Sequence, residues 1–248
     1  MKMNFKLKTM MAASLVAGLT LAGTTNIAEA AISGSTSSNA VINFEPSTDP
    51  TSPIDPTDPT NPVSPIDPTN PGGQPNPGTN GPLSIDFASS LDFGTQKITS
   101  SDKVYTAAAQ AFNDRDLGPN YVQVTDNRGS ETGWALKVQQ DGQFITEDGQ
   151  ELTGAEITFN NGVVSTGSVS AKPTHKASFT LIPDGDAERI MEAAEGQGAG
   201  TYILAFGNDA SAAGSIELSV PGSTTKYAKD YSTKLTWTLE DTPSSIEP

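Results

Sequence analysis

The chain has 248 residues, only 35% of them hydrophobic, with 18 prolines and 23 glycines. That leaves material for about one domain once a leader and a proline-rich stretch are set aside. Asp+Glu is 29 against Lys+Arg 14, a net charge of −15, which is opposite in sign to what phosphate backbones require. There is no cysteine and one histidine, His175, so disulfides, thiolate metal sites, thiol nucleophiles and two-histidine metal motifs are all excluded.

Lys2, Lys6 and Lys8 precede an apolar run from Met10 to Leu21, and Ala28-Glu29-Ala30 forms an A-x-A cleavage site. The run is too short to span a bilayer, so residues 1–30 are read as a signal peptide cut before Ala31. Cleavage takes away three lysines and Glu29 and moves the net charge from −15 to −17. An exported protein without cysteine fits a bacterium with a single membrane better than a eukaryotic secretory route.

Residues 31–45 are too few to fold alone, but Asn39–Glu45 (NAVINFE) is a candidate strand that pairs back onto the main domain. Residues 46–82 are proline-rich. From Pro50 to Pro71 every third residue is proline, and Ser52-Pro53-Ile54-Asp55-Pro56-Thr57 recurs as Ser64-Pro65-Ile66-Asp67-Pro68-Thr69. Period three matches a polyproline II rod, about 70 Å long at about 3.1 Å per residue. The segment is either a stalk that separates the domain from a surface or a linker that merely tolerates variation.

Residues 83–242 carry the domain. Strands are expected at 84–87, 103–112, 121–126, 133–140, 156–160, 163–165, 177–182, 201–206, 215–220 and 234–239. Asn161-Gly162 between two of these is a hairpin signal, since both turn positions accept positive φ. One helix is expected over Asp186–Glu195, capped by Asp186 and stopped by Gly196. The fold class is therefore all-β, an antiparallel β-sandwich or barrel-like domain with one short helix, preceded by a proline-rich extended stalk. The tail, 243–248, has no apolar helix and no LPxTG-type sorting sequence, so retention at a surface is expected to be non-covalent.

Chemistry is sparse. No G-x-S-x-G elbow occurs, and His175 lies in a polar turn before a strand. Gly196-Gln197-Gly198-Ala199-Gly200 lacks the lysine of a phosphate loop and is read as a flexible connection. The acidic groups Glu147-Asp148, Glu151 and Asp184–Glu188 offer carboxylates of the kind glycoside hydrolysis pairs, and Asp184–Glu188 lacks the twelve-residue rhythm of a calcium loop; all are read as solvated loops. No catalytic residue, cofactor or metal is assigned, and the protein is expected not to be an enzyme.

The two tryptophans each open a three-residue word, Trp134-Ala135-Leu136 and Trp237-Thr238-Leu239. In a strand, residues i and i+2 share a face, so each word projects an indole and a leucine together. On neighbouring strands the two strips would merge into one patch, either exposed for stacking or simply core.

These words, with Gly81–Phe87 running into Leu91-Asp92-Phe93-Gly94, the DP-T repeats and the export signal, resemble the WxL family of surface proteins from low-GC Gram-positive bacteria. The resemblance implies a secreted, cell wall-associated protein with peptidoglycan as receptor. It also implies membrane-anchored companions and other WxL proteins as partners, with no nucleic acid and no membrane insertion after cleavage. The binding determinants it implies are Trp134, Leu136, Trp237 and Leu239, touching the wall or holding together the surface that does. The alternative is a structural partner of other surface proteins, since spare sandwich edges and Asn39–Glu45 suit strand addition.

Overall fold

A computed structural model describes residues 34–241, so the signal peptide and the tail lie outside the described residues. The chain divides between Asn43 and Phe44. The strand expected over Asn39–Glu45 is not formed. These residues have no ladder partner, and Val41, Ile42 and Phe44 are 94%, 76% and 84% exposed.

The second unit begins at Phe44. Its strands in chain order are β1 (Pro65–Ile66), β2 (Leu83–Ala88), β3 (Lys103–Thr106), β4 (Ala111–Phe112), β5 (Asn120–Asp126), β6 (Trp134–Ile145) and β7 (Glu156–Phe159). There follow β8 (Gly162–Thr166), β9 (Thr174–His175), β10 (Phe179–Leu181), β11 (Glu188–Ala193), β12 (Gly200–Phe206), β13 (Ile216–Val220) and β14 (Ser232–Glu240). Three four-stranded antiparallel sheets run β2-β5-β12-β8, β14-β6-β11-β9 and β10-β7-β13-β3, and β1 pairs with β4. The arrangement is sandwich-like, as the alternating apolar and polar residues predict.

The main core joins inward residues of all three sheets. Val122 and Val124 come from β5, Tyr202 and Leu204 from β12, Leu136 and Val138 from β6, and Ile157 and Leu218 from the third sheet. Phe206 of β12 reaches Phe159 at 4.8 Å and Phe179 at 6.0 Å between ring centroids, which ties the third sheet to the first.

Within the strand region, the helix and hairpin expectations fail for identifiable reasons. The segment 186–195 is not a helix; Glu188–Ala193 is β11, hydrogen-bonded between β6 and β9. Its register shifts between Arg189 and Met191, and this bulge lets consecutive Ile190 and Met191 both be buried, at 1% exposure each. The bulge breaks the period-two pattern, so the segment looks helical in sequence although pairing decides its state. Asn161-Gly162 turns the chain, with Asn161 at φ 56°, but makes no hairpin. β7 belongs to the third sheet and β8 to the first. Gly162 lies against neighbouring backbone there, its N–H donating to Ala177 O at 2.8 Å, and a Cβ would sit 2.6 Å from Lys176 O.

The proline-rich segment is not an extended stalk. It folds back over the outer face of β5 and β12, where Val63 joins Phe87, Phe112, Tyr121, Ile203 and Ala205 in a second apolar cluster flanked by Ile54. All seven residues of β5 are therefore buried, in a sheet covered on both faces. A polyproline rod leaves its backbone to water, whereas this backbone closes turns. Asp55 Oδ1 accepts from the N–H and hydroxyl of Thr57 at 2.8 and 2.9 Å, and Asp67 Oδ1 accepts from the same groups of Thr69 at 2.7 Å each. The D-P-T words at Asp55, Asp58 and Asp67 are thus Asx turns whose proline supplies the fixed φ. Asp55 N–H donates to Asn61 O at 2.8 Å and Val63 N–H to Pro53 O at 3.0 Å, making a small hairpin. Buried Gln123 locks it to β5, accepting from Ile54 N–H at 2.8 Å and donating to Ser52 O at 3.0 Å. Arg115 pairs with Asp55 and with Asp209, closing the outer rim.

Asp67 is held below the ordinary carboxylate range. Burial pushes it up, but hydrogen bonds from the hydroxyls of Thr69 and Ser90 and from the N–H groups of Thr69 and Asn70 outweigh that. A depressed carboxylate contributes stability that is complete above its unfolded pKa of about 4 and is lost as pH falls through the lower folded value. The docked segment should resist an acid-tolerant protease near neutrality and become cleavable between residues 53 and 73 below about pH 4. Asp67→Asn should be cut there already at neutral pH, as mass spectrometry of the fragments would show.

Candidate functional site

The four residues singled out in the sequence come together on β6 and β14. These strands pair antiparallel, with Leu239 directly opposite Leu136 and Trp237 opposite Val138. Opposed residues share a face, as do residues two apart along a strand. Trp134, Leu136, Trp237 and Leu239 therefore lie on one side of one ribbon, and that side faces the core. Trp134 and Leu136 are fully buried, while Trp237 and Leu239 are partly buried and pack against the core from the sheet's edge strand. The two strips do merge into one patch, and only its β14 half reaches solvent.

Trp134 is anchored by more than packing. Its indole N–H donates to Gly198 O at 3.0 Å, and its ring lies 6.1 Å from Tyr202 at 56°, across the sandwich. Tyr202 donates its hydroxyl to Ser170 O at 3.0 Å, and Gly198 N–H donates to Ala171 O at 3.1 Å. The glycine-rich run is thus a fixed seat for the indole and not a loose connection. At Gly198, φ is 80° and a Cβ would fall 2.5 Å from Ala193 Cβ and 2.6 Å from Trp134 Nε1. Only glycine fits there.

Arg128, which sequence reasoning passed over, clamps the same corner. Its guanidinium grips both carboxylate oxygens of Asp126, at 3.0 and 2.8 Å. It also donates to Gly133 O at 2.7 Å and Asp241 O at 3.0 Å. One side chain thereby joins the end of β5 to the start of β6 and the end of β14. The hydrogen bonds to Asp126 hold the guanidinium pKa above its usual value despite the opposing cost of burial.

The outward face of the ribbon is polar and charge-balanced. Lys137 Nζ donates to Glu240 Oε1 at 2.6 Å, Lys234 approaches Asp141 at 3.6 Å, and on adjoining β11 Arg189 donates to Glu192 at 3.0 Å. Thr236 donates to Asp141 at 2.6 Å, while Thr238 lies exposed opposite Lys137. Gln139 donates to Gly185 O at 2.9 Å.

Elsewhere, His175 is exposed on β9 at a sheet edge, paired with Met191 of β11. Asp148 and Glu188 of the acidic groups pair with Lys229 and Lys176. A shallow depression of about 560 Å³ between the 150–154 turn and the 221–227 loop holds one carboxylate, Glu151. Among the described residues no three His, Asp or Glu side chains are grouped to hold a metal ion, and no helix is long and apolar enough to cross a membrane.

Residues 31–243 match the family described as the WxL domain, surface cell wall-binding, and the chain belongs to that family. This is a cell-surface wall-binding family and not an enzyme family. No curated protein and no solved structure matches the chain.

The indole seat gives a sharp test. Gly198→Ala and Gly196→Ala replace glycines of the same φ, 80°, but a Cβ at residue 196 meets nothing within 4 Å. The strain of positive φ should therefore cancel between them. Gly198→Ala should lose about 1–3 kcal/mol more in urea unfolding, the cost of overpacking against Trp134. Arg128→Ala, which strands a carboxylate buried at the 1% level, should cost about 3–5 kcal/mol in the same assay.

Proposed function

We propose that the protein binds peptidoglycan directly and non-covalently through the outward face of the β6–β14 ribbon, and that it is displayed in this way as part of an envelope assembly. Trp134, Leu136, Trp237 and Leu239 are the determinants of that surface. The first two are its floor, and the second two hold the edge strand in register above the core. The observation that carries this reading is the pairing of Leu239 with Leu136, which places both family words back to back with a single polar face.

Charge supports the choice of face. A chain at −17 approaching an anionic wall is repelled as a whole, and the repulsion is least where cations are most evenly matched to carboxylates. Lys137, Lys234 and Arg189 give the ribbon that balance, and its threonine hydroxyls and Gln139 amide suit hydrogen bonding to sugar or peptide.

The chain starting at Ala31 should pellet with purified peptidoglycan. Thr238→Glu, an exposed change facing Lys137, should lower retention several-fold while moving stability by less than about 0.5 kcal/mol. Trp237→Ala should lower stability and retention together. A wild-type chain that stays in the supernatant would refute direct wall binding. Retention should rise with added salt, because screening at a Debye length of about 8 Å or less weakens the net repulsion; a steady fall with salt would point to attractive ionic contacts instead.

A further inference from the structure

Two features of the molecule remain unused by this reading, and they are complementary. One is Asn39–Glu45, whose apolar side chains stand in solvent, Val41 at 94%, Ile42 at 76% and Phe44 at 84% exposure. As a strand it would put Ala40, Ile42 and Phe44 on one side and Asn39, Val41, Asn43 and Glu45 on the other. The other is the free edge of β14. This nine-residue strand pairs with β6 alone among the described residues. It contains no proline, and its inward side chains Leu235, Trp237 and Leu239 are only partly buried. A long unpaired edge with an unfinished apolar strip is a template for another strand.

We propose that Asn39–Glu45 is a donor strand that adds antiparallel to the open edge of β14 in a second copy of this chain, with Glu45 opposite Lys234. That register sets Phe44 beside Leu235, Ile42 beside Trp237 and Ala40 beside Leu239, covering the exposed half of the inward strip. On the outward side Asn43 meets Thr236, Val41 meets Thr238 and Asn39 meets Glu240. Lys234 gains a carboxylate at a position where its side chain is 78% exposed and its present partner Asp141 is 3.6 Å away. The parallel alternative with the same apolar matches puts Glu45 opposite Glu240, two like charges facing each other.

The orientation also selects the occupant. Ser47 N–H reaches Asn127 O at 3.4 Å, and neighbouring Arg128 holds Asp241 O at 3.0 Å. The segment's own C-terminal end is thus held near the Asp241 end of its own β14. The antiparallel register needs Glu45 at Lys234, seven residues from Asp241 and so about 23 Å along the strand at about 3.3 Å per residue. Two residues from Ser47 span at most about 7 Å. The chain cannot place the strand on itself in this direction, whereas a second copy can accept it. Each copy then offers one donor and one acceptor, a head-to-tail contact that builds rings or filaments and repeats the outward polar face. The proposal does not rest on wall binding, and its test is made in solution without wall material.

The absence of cysteine makes the test clean. In the chain starting at Ala31, Asn43→Cys and Thr236→Cys preparations are mixed under mild oxidation and run on non-reducing gels. A disulfide-linked heterodimer is the expected result, since directly opposed residues in antiparallel strands lie within disulfide reach. Glu45→Lys should reduce its yield several-fold, and Lys234→Glu in the accepting chain should restore it. Linkage of Asn43→Cys to Thr238→Cys in preference to Thr236→Cys would indicate the parallel register and overturn the proposal. So would no linkage at all, or an intrachain disulfide in the double variant at high dilution.

Discussion

The seat of Trp134 is the contact on which the rest of this structure depends. An indole is large, apolar over most of its surface, and carries one N–H that must find an acceptor when buried. Here the acceptor is the Gly198 carbonyl, and the space is available because residue 198 has no side chain. Fixing the indole fixes the start of β6, and β6 in turn aligns β14 on one edge and β11 on the other. The second family word has no such seat. Its place follows from ladder bonds to β6, from Leu239 over Leu136, and from the Arg128 clamp on Asp241. The two words thus differ in physical role although they are alike in sequence. The first is an anchor of the core, and the second is an edge strand that borrows the first one's register.

The proline-rich segment shows the same dependence on a few polar groups. Its prolines cannot donate to a ladder, and left alone they favour an extended chain. What bends it is the Asp or Asn before four of these prolines. Asp55, Asp58, Asp67 and Asn70 all accept hydrogen bonds from groups two residues on, so these positions of the repeat are turns and not parts of a rod. The turns then bring Ile54 and Val63 down onto an apolar face of β5 and β12 that would otherwise meet water. The segment is a layer of the domain, and the sheet beneath it is buried on both sides.

Much of the framework was legible in the sequence because burial on one face leaves a period-two trace. That held for Trp134-Ala135-Leu136 and for Leu235–Leu239, and it correctly put each indole with its leucine on one face. It failed at β11, where a bulge lets Ile190 and Met191 be buried in succession; β5 stands where a strand was expected, at Asn120–Asp126, although a second apolar layer buries both of its faces. The NG pair at Asn161-Gly162 correctly marked a turn, but local turn chemistry carries no information about which sheet the next strand joins. Partner choice is a long-range property. For the same reason the direction in which the two words face, and the alignment of Leu239 with Leu136, could be read only from the folded chain. Arg128 was invisible for a further reason: its acceptors at Gly133 and Asp241 are backbone oxygens, which leave no mark on residue type.

The ribbon's geometry also separates demands that would conflict on a single surface. Large apolar side chains are needed to hold an edge strand, yet their exposure on a cell-surface protein invites non-specific association. Turning both words inward meets the first demand and leaves the outward face to threonine, glutamine and matched charges. The cost of this solution falls on the free edge of β14, where Leu235, Trp237 and Leu239 are only partly covered. Natural edge strands are commonly guarded by charge, and here Lys234 and Glu240 stand near the two ends of the strip, leaving its middle open. An edge guarded at its ends and apolar between them favours one alignment of an incoming strand over its shifted or reversed alternatives, because any other alignment misplaces a charge or an indole.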